Sequence, residues 1–264
     1  MFFKFFKKTC ITILLTLLIM PTYVYAYSDY IIAGGENIGI ELNSKGIMVV
    51  GMYKVNNTYP AKDAGLKVGD VILSINNQRV SSINELIESI DKNASSGTVR
   101  VGYSRNNQQL YTNLSLLKDS NNIYKTGLYV KDSITGIGTL SYIDPKTKIF
   151  GALGHEIIEK STGKILEIKD GKIYESTVTG IERSENGSPG EKNARFYSDN
   201  VKGNVSKNTP QGIFGNYLET IPNKKLYKVA QPSDVKLGEA KLLTVLKENE
   251  VKEYSIEIIK INND

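Results

Sequence analysis

The chain has 264 residues, of which 40% are apolar and 23% charged, a composition ordinary for a globular protein of one large or two small domains. The formal net charge is +5, and three of those five charges are Lys4, Lys7 and Lys8. The rest of the chain is nearly neutral. It has no cluster of basic residues with interleaved aromatics, so we expect no nucleic-acid partner.

The scarcity of histidine and cysteine limits the chemistry. His155 is the one histidine and Cys10 the one cysteine. A single histidine excludes sites built from two or more of them, such as the HExxH zinc proteases. Without Cys10, which lies in the N-terminal segment and is expected to be incidental, there is neither a disulfide nor a thiol nucleophile. We expect no metal and no cofactor.

The N-terminus is typical of an export signal. The three lysines precede an apolar run over residues 11–20, Pro21 ends the run, and Val24-Tyr25-Ala26 fits a cleavage site. The run is short for a transmembrane helix, which needs about 20 apolar residues. Residues 1–26 are therefore expected to be a signal peptide or a retained signal anchor, and the protein is expected to be exported.

Residues 34–117 predict a compact first domain. Residues 38–42 and 46–50 predict two strands joined by an Asn-Ser-Lys turn, and Pro60 and Gly65 bound a short helix. Asn76-Asn77 predicts a tight turn. Ser82 with Glu85 predicts a capped helix whose apolar positions include Leu86 and Ile90, and residues 98–103 and 109–117 predict a hairpin.

The string Pro-Ala-Lys-Asp-Ala-Gly-Leu-Lys-Val-Gly-Asp-Val-Ile-Leu-Ser-Ile-Asn at 60–76 closely resembles a PDZ domain of the bacterial protease-associated type. In that family a peptide adds as a strand, and its terminal carboxylate meets backbone N–H groups of a glycine-containing loop. The resemblance places this loop at residues 37–40, with Gly39 giving the close backbone approach. The implied peptide-binding residues are Ile38, Gly39, Ile40, Leu86 and Ile90. For Leu86 and Ile90 the alternative is an ordinary core position.

From Gly127 the pattern changes to short β segments with frequent glycines. Strands are predicted over residues 136–143, 149–153, 165–168, 172–179, 242–246 and 251–261. Regularly spaced short strands favour a β-barrel or a sandwich.

Three segments of this second region resemble the sporulation-specific serine peptidase family typified by stage IV sporulation protein B. They are Phe-Gly-Ala-Leu-Gly-His at 150–155, the stretch from Ser176 to Lys192, and Thr-Pro-Gln-Gly-Ile-Phe-Gly at 209–215. The resemblance implies that His155 is the catalytic general base. It also implies a serine in a Ser-Gly-Ser-Pro motif, preceded by an acidic residue, beyond Asp264 where this sequence stops.

Two residues within the chain are considered as substitutes for the missing partners. Ser188, in Asn-Gly-Ser-Pro-Gly, imitates a nucleophile between glycines, but the family places no nucleophile there and a turn serine is the simpler interpretation. Glu156 adjoins His155. If the strand continues, successive side chains point to opposite faces, so Glu156 is a poor orienting acid.

These observations predict a mainly β fold with an α+β part. A PDZ domain at 34–117 is followed by an incomplete trypsin-like β-barrel peptidase domain at 120–264. The resemblance implies a serine endopeptidase in the space between forespore and mother cell. Its expected partners are peptide or protein termini and membrane-associated sporulation proteins, with a possible N-terminal membrane association. This polypeptide alone is expected to be inactive. The alternatives are a catalytically dead PDZ-containing binding protein and a nonfunctional remnant.

Overall fold

A computed structural model describes residues 28–160 and 162–262, and the expected export signal over residues 1–26 lies outside these ranges. The strands are β1 (Tyr30–Ala33), β2 (Asn37–Met52), β3 (Val71–Ile75), β4 (Gln78–Arg79), β5 (Thr98–Arg105), β6 (Gln108–Ser115), β7 (Leu117–Lys118), β8 (Tyr124–Lys125), β9 (Leu128–Ile143), β10 (Ile149–Ala152), β11 (Ile158–Glu159), β12 (Lys164–Ile165), β13 (Ile168–Glu182), β14 (Glu191–Thr209), β15 (Gly212–Tyr217), β16 (Leu226–Lys228), β17 (Gly238–Val245) and β18 (Val251–Ile258).

The helices are α1 (Pro60–Asp63) and α2 (Ile83–Asn93), with 3₁₀ turns at Ala94–Ser96 and Pro232–Asp234. Neither helix of the described part is long and apolar enough to cross a membrane. The prediction of a mainly β chain is confirmed.

Six antiparallel strands close into a barrel. Around it β9 pairs with β10, β10 with β15, β15 with β14, β14 with β13, β13 with β2, and β2 with β9. Inside lies one hydrophobic core, in which Phe150, Ile173 and Ile213 are completely buried. Barrel closure leaves none of these six strands as a free edge over its paired length.

A second core lies between α2 and the strands β3, β5 and β6. Ile47, Ile72, Val101 and Leu114 are completely or almost completely buried there, together with Leu86 of α2. The buried residues of this core lie between Ile47 and Leu116, together with Leu128 of β9.

Strand β2 belongs to both cores, which the sequence did not predict. Its first half pairs with β9 and β13 in the barrel, and its second half pairs with β3 in the second core. The expected Asn-Ser-Lys turn at residues 43–45 is wrong, since β2 continues through it. The Lys45 amide donates instead to the Glu167 carbonyl oxygen at 3.0 Å. Strand β13 and the residue just before it therefore hold this part of β2 extended.

The local predictions of the first domain are otherwise confirmed. Asn76 and Asn77 both have positive φ, as do Asn106 and Asn107 in the turn of the β5–β6 hairpin. The Ser82 hydroxyl accepts the Glu85 amide at 3.2 Å. The predictions are correct at these positions because turn and cap residues depend only on the backbone conformation and hydrogen bonds of their own segment.

A buried ion pair fixes the turn that leads into β3. The Asp70 side chain is 1% exposed and accepts from Nε and Nη2 of Arg105, each at 2.7 Å. The Lys67 amide donates to the same carboxylate at 2.7 Å. The hydrogen bond with Asp70 raises the pKa of Arg105 above its ordinary value. Paired in this way, the buried carboxylate is satisfied on both oxygens.

The last two strands form a separate hairpin. Among the described strands, β17 and β18 pair only with each other. The hairpin meets the rest of the protein through an isolated bridge between Glu248 of its turn and Val178, a Lys192 Nζ–Thr244 Oγ1 hydrogen bond of 2.7 Å, and the close approach of Leu243 to Gly35. Burial lowers the pKa of Lys192. This hairpin therefore rests on the outside of the barrel at β13 and β14.

Candidate functional site

His155 follows directly on the end of β10. That strand lies between β9 and β15, so its last residue, Ala152, is fixed on both sides. The chain then turns sharply: Leu153 has φ 73, and the Gly154 amide donates back to the Ala152 carbonyl at 3.0 Å. Such a γ-turn with positive φ at a leucine is strained backbone, which is concentrated at functional sites.

The glycines around His155 are required by close packing. A Cβ at Gly151 would lie 2.5 Å from the Tyr142 ring, and one at Gly138 would lie 2.5 Å from the Leu153 side chain. Gly154 itself has φ 82, a conformation that favours glycine. The motif around the histidine is therefore explained by the turn and by its neighbours.

The His155 ring is exposed, and we assign its tautomer from its contact with a backbone carbonyl. Its Nδ1 lies 2.8 Å from the Glu156 carbonyl oxygen, which can only accept, so Nδ1 carries the proton. Nε2 is then the free acceptor. This is the tautomer that a general base needs in order to take a hydroxyl proton.

His155 lines a cavity of about 540 Å³, within the range typical of ligand pockets. We call it the His155 cavity. Its lining residues are Ile40, Ile134, Thr135, Gly136, Ile137, Leu153, His155, Glu156, Ile157 and Ile158. Six of these ten are aliphatic, and no serine stands among them.

Asn208 holds the outer wall of this cavity. Its side chain accepts the Ile157 amide at 2.8 Å and donates to the carbonyls of Ile157 and Leu166 at 2.8 and 3.0 Å. This positioning residue was missed by the sequence reasoning, because nothing in the sequence links residue 208 to residue 157.

Neither the Ser188 hydroxyl nor the Glu156 carboxylate contacts the imidazole in the described part of the chain. Ser188 lies in the exposed turn between β13 and β14, where it exchanges backbone hydrogen bonds of 2.9 Å with Glu185. It does not line the His155 cavity. Glu156 does line it, but its backbone carbonyl rather than its carboxylate contacts the ring. The condition on which Glu156 was discounted is not met, since β10 ends at Ala152.

The predicted peptide-binding residues do not form one groove. Ile38, Gly39 and Ile40 lie within β2, where neighbouring strands pair with both edges. Both isoleucines are buried in the barrel core, whereas Leu86 and Ile90 are buried in the second core. A peptide could add at Gly39 only if β9 or β13 left, whereas the peptide-binding role of Leu86 and Ile90 stays a prediction.

The position beside α2 is taken by the chain itself. Residues 128–131 of β9 lie antiparallel along residues 48–52 of β2. The Asp132 carboxylate then accepts the amide of Ile83, the first residue of α2, at 2.8 Å. A carboxylate at a helix N-terminus satisfies an otherwise unpaired donor. The contact links the first domain to the barrel strand that also lines the His155 cavity.

The described residues hold no group of three or more histidine, cysteine, aspartate or glutamate side chains that could bind a metal ion. The site itself combines the His155 imidazole with the apolar cavity beside it.

Comparisons with known proteins agree with this arrangement. The PDZ domain family model matches residues 37–116, and the SpoIVB peptidase S55 model matches residues 122–264. No curated protein matches the chain. Among solved structures, the PDZ domain of the SdrC-like protein from Listeria monocytogenes is 25% identical, with 33% of this chain and 90% of that one covered and a TM-score of 0.29.

These matches confirm the expected order of a PDZ domain followed by a β-rich peptidase region. Because PDZ domains recognise peptides, the first match also supports peptide or protein binding by this chain. The second match covers more than half of the sequence and includes His155. The chain belongs to the SpoIVB peptidase S55 family.

Proposed function

We propose that the protein is a sporulation-checkpoint serine endopeptidase homologue in which His155 is the general base. One observation carries the proposal. The imidazole lines an apolar cavity in the peptidase region, and its Nδ1 lies 2.8 Å from the Glu156 carbonyl oxygen, a contact that assigns the proton to Nδ1 and leaves Nε2 as the acceptor of the neutral ring. In that tautomer His155 would take the proton of a serine hydroxyl and return it to the leaving amine.

The nucleophile has to come from outside the described residues, in a longer product or on a second polypeptide. No serine lines the His155 cavity in the described part of the chain, and Ser188 is held in a remote turn. The same observation favours a second candidate function, a catalytically silent protein that binds peptides without cutting them. The two candidates differ in whether an activated serine ever meets His155.

We place the protein outside the cytoplasmic membrane, in the space between forespore and mother cell, with membrane-associated sporulation proteins as its partners. The export signal predicted at residues 1–26 and the SpoIVB peptidase S55 match of residues 122–264 support this location. The PDZ match supports engagement of those partners through peptide segments.

The test uses a fluorophosphonate, which labels only activated serine hydroxyls. The full chain is isolated with its associated proteins from sporulating cells, as wild type and as His155→Ala, and both are labelled. Label that depends on His155, on this chain or on one bound to it, supports the peptidase. Equal labelling of both samples would overturn the peptidase and leave the silent binder.

A second measurement uses the purified full chain with a denatured protein as substrate. We expect no difference in cleavage between the wild type and His155→Ala, because no serine of the described residues lines the His155 cavity. Clear turnover that is lost in His155→Ala would contradict the silent binder and the requirement for an outside nucleophile.

A further inference from the structure

One side of β9 is left unpaired beside His155. β10 pairs with β9 only as far as Ala152–Leu140, and the Leu153 amide then donates to the Thr139 carbonyl at 3.0 Å. After Leu153 the chain turns away from the sheet. No strand among the described residues takes the place of β10 along residues 133–137, although β2 continues to pair with the opposite side of β9.

The direction of the backbone groups follows from the register. The Leu140 amide and carbonyl bond to Glu36 and Gly35 on the side of β1 and β2, whereas the Thr139 carbonyl faces β10. Backbone groups alternate sides along an antiparallel strand. Ile137, Thr135 and Ser133 therefore present their N–H and C=O groups on the side that β10 has left. We call these groups the open edge.

No hydrogen bond joins the open edge to any other described residue outside the strand ladders. Thr135 and Gly136 are exposed, and a Cβ built on Gly136 would meet no atom within 4 Å. An unpaired strand edge is a template for another extended chain, and natural proteins usually block such edges. This one stays open next to the imidazole.

The open edge also forms one wall of the His155 cavity. Thr135 and Ile137 line it together with Ile134, and Leu153 and Ile157 face them. From Ser133 to Ile137 the strand runs about 13 Å, enough for roughly five residues of an added strand. A chain added there would continue the line of β10 and arrive at His155 in an extended conformation.

We propose that an extended peptide binds as an added strand on the open edge of β9 and buries an aliphatic side chain in the His155 cavity. The peptide's backbone pairs with Ser133, Thr135 and Ile137, which gives affinity without sequence preference. The six aliphatic lining residues supply the preference for the side chain. That the bound peptide is a substrate rests on the proposed function, whereas the binding itself needs no catalysis.

The probe is fluorescein-labelled Gly-Thr-Ser-Leu-Ser-Thr-Gly with a C-terminal amide, so that no free carboxylate is offered to the PDZ region. Its affinity for the full chain in mild detergent is measured by anisotropy. Replacing the peptide's leucine by aspartate should weaken binding about tenfold or more, because the apolar burial is lost. Equal affinity for the two peptides would overturn the assignment of the cavity.

Thr135→Pro tests the strand pairing, since proline removes an N–H on the open side and leaves the pairing with β2 intact. We expect binding about three- to tenfold weaker. Thr135→Val is the matched control, because it keeps the N–H and nearly the same shape, and it should bind the peptide more tightly than Thr135→Pro does. Equal affinity of Thr135→Pro and Thr135→Val would overturn strand addition.

A second variant guards against misfolding of Thr135→Pro. Gly136→Val places a side chain in the open space of the cavity, suits a strand, and should abolish binding with an unchanged circular dichroism spectrum. Unchanged affinity would count against the site. Binding by the wild type without histidine-dependent serine labelling would overturn the proposed function alone, and labelling without binding would overturn this proposal alone.

Discussion

The presence of glycine at residue 39 can be interpreted in two ways. As part of a carboxylate-binding loop, it is a glycine because a peptide terminus must approach its backbone. In the structure it is a glycine because Phe196 lies over it: a Cβ at residue 39 would overlap Cβ and Cγ of Phe196 and lie 3.0 Å from Cδ1. The substitution Gly39→Ala distinguishes these, since it adds one methyl group only.

The structure sets the size of the effect. Phe196 is held by its pairing with Ser176, and its ring stacks on Tyr174 with centroids 5.6 Å apart. Because its Cβ is fixed by the backbone, no rotamer change removes the overlap. Overpacking a well-filled site costs typically 1–3 kcal/mol, and we expect Gly39→Ala to lower the free energy of unfolding by about 3 kcal/mol.

A double-mutant cycle makes the cause specific. Phe196→Ala removes the ring but keeps the overlapping Cβ, so it should relieve the clash only in part. Phe196→Gly removes both and should relieve it fully, with a coupling free energy of about 1–3 kcal/mol to Gly39→Ala. The control is Gly136→Ala in β9, where the added Cβ meets nothing within 4 Å. That variant should be neutral or more stable by up to about 1 kcal/mol.

The assay is urea unfolding of the full chain, followed by circular dichroism. The packing argument is refuted if Gly39→Ala is as stable as the wild type, or if Phe196→Gly fails to relieve it. If Gly39→Ala unfolds normally but no longer binds a peptide with a free C-terminal carboxylate, the carboxylate-loop interpretation is the correct one.

Three further predictions follow from individual contacts. Asp70→Ala should lower the free energy of unfolding by about 3 kcal/mol, because it leaves the Arg105 guanidinium, 24% exposed, without its buried partner. Urea titration measures this loss, and a loss below about 1 kcal/mol would contradict the prediction. Burial and, to a lesser extent, the hydrogen bond to Glu41 raise the pKa of Tyr174 to about 12. Since the unfolded phenol loses its proton near pH 10, stability should be full below pH 10 and fall as the pH rises to about 12, less steeply in Tyr174→Phe; equal slopes in alkaline unfolding would refute this. Asp132→Ala should cost about 1 kcal/mol and speed amide exchange in α2, and unchanged exchange would show that the contact with Ile83 contributes nothing.

The sequence predicted well wherever a residue acts on its own neighbourhood. The paired asparagines of the two tight turns and the Ser82 cap are local devices, and the structure has each of them. The glycine-rich motif around the histidine could also be recognised from the sequence, because a tight turn just before His155 requires glycine at residue 154.

The sequence failed where distant segments meet. An Asn-Ser-Lys sequence at 43–45 is a reasonable turn, but pairing with β13 keeps it extended, and tertiary context overrides local preference. The alternation of Ile38, Gly39 and Ile40 fits a groove-lining loop and an interior strand equally well. Only the partners on both sides, which lie about 100 to 140 residues away along the chain, decide between them.

The sharing of β2 restricts how the first domain can act on His155. Residues 38–42 of β2 lie in the barrel core and Ile47 and Val49 in the second core. The two cores therefore cannot rotate about a hinge in β2 without exposing apolar side chains or breaking its pairing with β9 and β13. The direct route for an influence of a bound partner on the imidazole runs along β9, from the Asp132 contact with α2 to the open edge, which begins at the next residue. A partner that displaced Asp132 would change the same strand on which we place the peptide, so binding at the first domain and binding at the His155 cavity are expected to be coupled.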